Sequence, residues 1–178
     1  MRTFLYEAGF IRAEDLHKTD DSILIPVDDR LSQFLADLKS AMTFSDACAY
    51  IGATRRQMEL LVEGGLVKAI TADMKAHNKY SFAQRELDRF LAALLKRAVR
   101  ARPWEEGLVS IAAAAERTCC RSVDVVALIL EGRLPTVRHP WDVDGYRSIL
   151  VKLSEVKAAK GEMAIRRVAG IKSPDREP

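Results

Sequence analysis

Along residues 43–100 the apolar positions fall at helical spacing in separate blocks, each bounded by a capping residue or a glycine. Thr43 or Ser45 caps a short helix through Ala47, Cys48 and Tyr50, and Gly52 breaks it. Thr54 then caps a second helix, with Gln57 at the capping-box position and Met58, Leu61 and Val62 as its apolar stripe. Gly64 and Gly65 stop it. Residues 66–70 and 79–82 have the length of two hairpin strands, with a polar tip at 73–78. From Gln84 a longer helix follows, one-sided through Leu87, Phe90, Leu91, Leu94, Leu95 and Ala98, and Arg102-Pro103 ends it.

The pattern then returns. TFSDACAYIGATRRQMELLVEGGL at 43–66 is matched by SIAAAAERTCCRSVDVVALILEGRL at 110–134. Thr43 pairs with Ser110, 67 apart, and Glu63 with Glu131, 68 apart, which implies one inserted residue between them. Ser110 opens an alanine-rich helix. Ser122 caps a second helix with the stripe Val125, Val126, Ile129 and Leu130, and Gly132 stops it. Residues 134–138 and 146–151 form paired strands around Asp144-Gly145, and a helix from Ser154 carries Val156, Ala159 and Met163 on one side.

The first 40 residues carry part of the same plan. Shifting 5–38 by 56 lays it on 61–94 without a gap, and the identities include Leu5, Gly9, Leu31, Phe34 and Leu38, at the helix stop and along the last helix. Two readings follow. The chain begins inside the second helix of a third unit, cut from a longer protein, or residues 3–10 are a single helix docked on the middle unit. The fold class is therefore mainly α with short β-hairpin wings, in tandem winged helix-turn-helix units. Residues 1–40 form a partial unit, 41–101 a complete one, 102–107 a linker, 108–165 a second complete unit and 166–178 a tail.

Composition agrees with small helical cores: 48% hydrophobic, 30% charged and only 7% aromatic, too few rings for a large β-sandwich. The net charge of +3 is unevenly spread. Residues 1–40 carry 5 basic and 8 acidic groups, a net −3, whereas 41–100 carry 10 and 6, a net +4, so the middle unit is the place to seek phosphate contacts. The three cysteines, Cys48, Cys119 and Cys120, have no zinc-knuckle spacing and read as reduced, buried small hydrophobes. With no apolar run of membrane-spanning length, the expectation is a cytoplasmic protein, nucleoid-associated in a bacterium if it binds DNA.

In this fold plan the second helix enters the major groove by its N-terminal end, and the wing reaches the backbone. The middle unit has Thr54, Arg55, Arg56 and Gln57 there. Arginine can hold guanine O6 and N7 with two hydrogen bonds, glutamine can hold adenine N6 and N7, and Thr54 with the helix-start N–H groups suits a phosphate oxygen. Lys75, His77, Asn78 and Lys79 on the wing add backbone contacts. The last unit offers Arg121 and Ser122 at its helix start, beside an unfavourable Asp124, and Arg138, His139 and Arg147 on its wing. The acidic first piece, with Asp15, Asp20 and Asp21 on its wing, is a better protein-contact surface. His17, His77 and His139 sit on wings or wing edges without further metal ligands nearby, and Trp104 and Trp141 pin the linker and the last wing. No nucleophile–base pair, glycine-rich phosphate loop or metal cluster is legible, so neither an enzyme nor a cofactor is expected.

The segment TFSDACAYIGATRRQMELLVEGGLVKA followed by YSFAQRELDRFLAAL resembles the excisionase and MerR-type winged helix-turn-helix family. The resemblance covers 43–94 well and 110–156 more loosely, and Cys119 and Cys120 depart from it by replacing the turn glycine. It implies that Arg55, Arg56 and the wing touch double-stranded DNA. Tandem units of this kind are also similar in architecture to the C-terminal region of TniQ/TnsD-type transposition proteins, target-selecting adaptors whose domains also grip protein or RNA. The expected function is a non-catalytic DNA-binding module for transcription regulation or for transposition and recombination, with other subunits of such a complex as further partners. The alternative is a protein-interaction adaptor built from stacked units.

Overall fold

The computed structural model describes residues 5–6, 8–19, 22–70, 81–102, 104–140 and 145–168, with side chains to Gly161. It is mostly helical, with two small sheets. Two compact units divide the chain: Met1–Ala47 with Ala69–Arg85, and Cys48–Lys68 with Glu86–Pro178. They cut across the boundaries drawn from sequence, because the middle and last copies of the repeat share the second unit.

The first unit contains a 3-10 helix at Ala13–His17, helix α1 (Asp29–Lys39), and strands β1 (Met42–Thr43) and β2 (Ser81–Phe82). Asp28 caps α1 by accepting from the Leu31 amide at 2.8 Å. Ile11, Leu31, Ala47, Phe82 and Ala83 are buried. The expected wing of the first piece is not formed among its described residues. Asp15 accepts from the Arg12 amide at 3.0 Å and from Lys18 Nζ at 2.7 Å, which closes a tight turn where an extended strand was anticipated. β1 pairs antiparallel with β2, Met42 opposite Phe82. The wing expected from 66–70 and 79–82 is thus corrected in part. The Ile70 amide does donate to the Ser81 carbonyl at 2.7 Å, but the strand partner of Ser81–Phe82 is the segment before the next helix. The tip at 73–78 lies outside the described residues.

Helix α2 (Phe44–Ile51) starts on Thr43, whose hydroxyl accepts from the Asp46 amide at 3.2 Å and donates to its carboxylate at 2.7 Å. Helices α3 (Arg55–Glu63) and α4 (Gln84–Leu95) follow, then strands β3 (Val99–Arg100) and β4 (Leu108–Ser110). The last copy supplies α5 (Ile111–Thr118), α6 (Ser122–Leu130), β5 (Val137–His139), β6 (Leu150–Lys152) and α7 (Leu153–Val168). In the second unit β6 is flanked antiparallel by β4 and β5, with Val151 opposite both Val109 and Val137, and β3 joins β5 in parallel. The expected strand at 146–151 begins late: Tyr146–Ser148 is a 3-10 turn held by the Ser148 hydroxyl donating to the Gly145 carbonyl at 2.7 Å.

Both complete copies therefore share the order strand, helix, turn, helix, strand, helix, and the turns are built alike. Gly65, Gly132 and Gly9 all adopt positive φ, at 69°, 72° and 75°. At each, the glycine amide donates to the carbonyl three residues back and the next amide to the carbonyl five back from itself: Leu66 to Leu61, Arg133 to Leu128, Phe10 to Leu5. The stop glycines Gly65 and Gly132 are 67 apart, the offset of Thr43 and Ser110, so the inserted residue inferred from Glu63 and Glu131 is not there. Cys119 takes the place of Gly52, also at positive φ (51° against 69°) and with the same two carbonyl bonds. The turn geometry survives the loss of glycine, at the steric cost that a Cβ incurs in the left-handed region.

Helix α6 is the most apolar element. Ser122, Val123, Val125, Val126, Leu128 and Ile129 are buried, six of its nine residues. Its start packs on the end of α3, where a Cβ placed on Gly64 would overlap Val123 Cγ2 and stand 3.1 Å from the Leu60 carbonyl oxygen. Gly64 is small because the neighbouring helix needs that space. The segment 102–107 is also tied down: Glu105 accepts the Arg102 amide at 3.0 Å, and Arg138 Nε reaches its two carboxylate oxygens at 2.8 and 2.9 Å. Trp104, expected to pin this segment, is 72% exposed, and the Glu105–Arg138 pair does that work instead.

Gly64→Ala is expected to lower stability by roughly 1–3 kcal/mol through overpacking, and combining it with Val123→Ala to recover part of the loss in a chemical-denaturation double-mutant cycle. Strict additivity would show that the two residues do not oppose each other. Cys119→Gly is expected to raise stability by up to about 1 kcal/mol and Cys119→Val to lower it, since a β-branched residue tolerates positive φ poorly.

Candidate nucleic-acid interface

The start of α3 is assembled by its own side chains. Thr54 Oγ1 accepts from the Gln57 amide at 3.3 Å, and Gln57 Oε1 accepts from the Thr54 amide at 2.8 Å. This closes the capping box anticipated from the sequence. It also engages the Gln57 carbonyl oxygen, so the two-bond grip on adenine expected of Gln57 requires the box to open. Arg55 and Arg56 leave the helix into solvent, each side chain 68% exposed. Both turn back to Glu59, Arg55 Nε to Oε1 and Arg56 NH1 to Oε2, each at 3.3 Å. Arg56 first and then Arg55 hold the Glu59 carboxyl below its usual range. Exposed pairs of this kind are weak and screened, so a phosphate or base edge can compete for the guanidinium groups. Glu59 was missed in the sequence because only helical (i, i+3) and (i, i+4) spacing reveals it.

Beside this helix start lies a cavity of about 350 Å³ lined by Thr54, Gln57, Ser110, Ile111, Ala112, Tyr146 and Arg147. Two helix starts meet there, α3 through Thr54 and α5 through Ser110, whose hydroxyl accepts from the Ala113 amide at 3.2 Å. The exposed Arg147 joins them from the 3-10 turn before β6. Helix starts carry partial positive charge and unsatisfied N–H groups, so this rim favours anions. Tyr146 is buried to 1% exposure, its ring stacked on Phe90 at 6.4 Å between centroids. Burial pushes its phenol up to about 12, with the Ser122 hydroxyl beside it acting the other way. The contact with Ser122 is not of good hydrogen-bond geometry, and the phenol oxygen is left without a bonded partner.

The sequence singled out Thr54, Gln57 and Arg147 separately, and the structure brings them together; it adds Ser110, which had been noted as a cap alone. It takes other predicted residues away. Ser122 is buried and does not cap α6; Arg121 holds that position, its amide donating to Asp124 at 3.2 Å and its guanidinium reaching the same carboxylate at 3.0 Å. The pair raises the Arg121 pKa above its ordinary value. The shift of one position follows from the constant 67-residue offset, which sets Arg121 on Thr54. Arg138 is half-buried against Glu105 rather than turned to a backbone phosphate. His139 is half-buried, its Nδ1 3.0 Å from the Pro140 carbonyl, and its own carbonyl accepts from the Ala101 amide at 2.9 Å. Lys75, His77, Asn78 and Lys79 lie outside the described residues, as does Trp141.

Magnitudes decide against α6 as a reader. Freeing an apolar side chain such as Val123 from its buried site costs about 1.5–3 kcal/mol. One good base contact returns about 1–3 kcal/mol, so unpacking α6 to read a groove gains nothing.

Cys48 is half-buried, its thiol pushed up by burial against the opposing effect of Arg55, while Cys119 is exposed, contrary to the buried hydrophobe expected of it. Among the described residues no group of three or more His, Cys, Asp or Glu side chains is placed to hold a metal ion, and no helix is long and apolar enough to cross a membrane. No family model, curated protein or solved structure matches this chain.

The pH dependence of the second unit follows from Glu105. Arg138, then the Arg102 amide, hold its carboxyl below the ordinary 4.5. A depressed carboxyl stabilises the fold fully above its unfolded value and loses that contribution as pH falls through the folded one. Stability is therefore expected to decline as pH drops below 4.5, and Glu105→Gln to flatten that decline in thermal melts across the acid range. An unchanged acid profile in the variant would remove Glu105 from the account.

Proposed function

We propose that this chain is a non-catalytic module that binds double-stranded DNA, with the start of α3 as its reading element, in a protein of transcription regulation or of transposition and recombination. In this proposal the two complete copies are winged helix-turn-helix units. The observation that carries it is the pair of solvent-directed arginines, Arg55 and Arg56, on the first turn of a capped helix beside a cavity that joins a second helix start and Arg147. Arg55 and Arg56 take base edges, and the helix-start amides of α3 and α5 with Arg147 take backbone phosphates. Glu59 holds both arginines in position when no DNA is present and gives them up to it.

A second reading, a protein-interaction adaptor, is favoured by one observation: α6 spends its start on packing against α3, as a protein–protein contact would. The two readings differ in salt dependence. Duplex DNA affinity is expected to fall steeply with salt, and replacing Arg55 and Arg56 with alanine to weaken binding by about 1–3 kcal/mol per lost base contact, or to lower the log–log salt slope by roughly one per lost phosphate contact. Glu59→Gln is expected to tighten binding by releasing both guanidinium groups. Fluorescence anisotropy with a labelled duplex measures all three. No duplex binding at low salt would sink the proposal.

A further inference from the structure

The constant turn geometry allows one surface to be compared in two copies. Residues 5–38 superpose in sequence on 61–94, and Gly9 and Gly65 carry the same hydrogen bonds, so Ala8 corresponds to Gly64, Phe10 to Leu66 and Phe34 to Phe90. In the second unit this face is covered. Val123 at the start of α6 lies against Gly64, and the Tyr146 ring stacks on Phe90, which is 4% exposed. The basic cap of that helix, Arg121, is favoured in its charged form by Glu63 nearby.

In the first unit the corresponding face is an open groove of about 440 Å³ lined by Ala8, Phe10, Arg30, Phe34 and the carboxylates Asp29 and Asp37. Phe10 and Phe34 meet at 5.2 Å, the Arg30 guanidinium lies 5.7 Å from the Phe10 ring centre, and Leu35 beside them is 49% exposed. The chain thus shows, in its covered copy, what fits this shape. The acidic balance of residues 1–40, net −3, complements a basic helix cap. Ala8 carries the Cβ that Gly64 lacks, so the residue standing opposite it must be smaller than valine.

We propose that the groove between Phe10 and Phe34 is a docking site for the start of an apolar helix of a partner protein, carrying a basic cap, a small residue opposite Ala8 and an aromatic ring over Phe34. This stands apart from DNA binding. The natural probe is a peptide of residues 118–132 bearing Val123→Ala, Cys119→Ser and Cys120→Ser, titrated into the full chain and followed by amide chemical shifts. Shifts are expected to centre on Ala8, Phe10, Arg30 and Phe34 and to saturate with a Kd below about 1 mM. Ala8→Arg, at an exterior turn, and Phe34→Asp are each expected to weaken the peptide by about tenfold or more, and a peptide retaining valine to bind more weakly than the alanine form. Duplex DNA affinity should be untouched by Ala8→Arg. The proposal is overturned by unsaturated shifts at about 1 mM peptide, by shifts at Gly64 in place of Ala8, or by shifts indifferent to Ala8→Arg. Self-association of the chain that Ala8→Arg abolishes would overturn it too, by giving the groove to a second copy.

Discussion

The packing of the α6 start onto the α3 end, with Val123 in the space that Gly64 leaves, is the contact on which the second unit depends. A helix with six of nine residues buried cannot serve as an exposed probe, and its burial anchors α3 by its C-terminal end. The opposite end of α3 is left facing solvent, with its capping box closed and its arginines outward. The same packing sets the turn at Tyr146–Ser148 near the starts of α3 and α5, and so frames the cavity that Arg147 enters.

One plan has thus been given two chemistries by the residues at a single turn. Thr54, Arg55, Arg56 and Gln57 make a polar, exposed start; Arg121, Ser122, Val123 and Asp124 make one that is half turned inward. The proposed DNA module follows from this division: α3 reads and α6 braces. Binding energy at the surface is best obtained where the reading helix is already rigid, because ordering it on contact would cost conformational entropy. The cap of α3, the Glu59 pairs and the α6 packing all act before DNA arrives.

Much of the helical frame was legible in the sequence because its signals are local. Thr43, Thr54 and Gln57 announce helix starts by chemistry within three residues, and the stripe of Leu87, Phe90 and Leu94 announces a buried face, which the structure gives as 0–4% exposure. The strand pairings were not legible. Met42–Thr43 has too few residues to carry an alternating pattern, and its partner lies some forty positions away. β3 was absorbed into a linker for the same reason. At the site, the exposed arginines were visible, but the fates of Ser122, Arg138 and Arg121 hinged on Tyr146, Glu105 and Asp124 and on one residue of register. The repeat was misregistered by a pair of glutamates, Glu63 and Glu131, while the positive-φ glycines Gly65 and Gly132 keep the true spacing.

The central claim, that α3 reads and α6 braces, is tested most directly by backbone amide hydrogen exchange of the intact chain with and without a duplex. The account predicts added protection at residues 54–57 and 110–113 and around Arg147, with residues 121–124 unchanged. Protection centred on 121–124, with none at the start of α3, would contradict it.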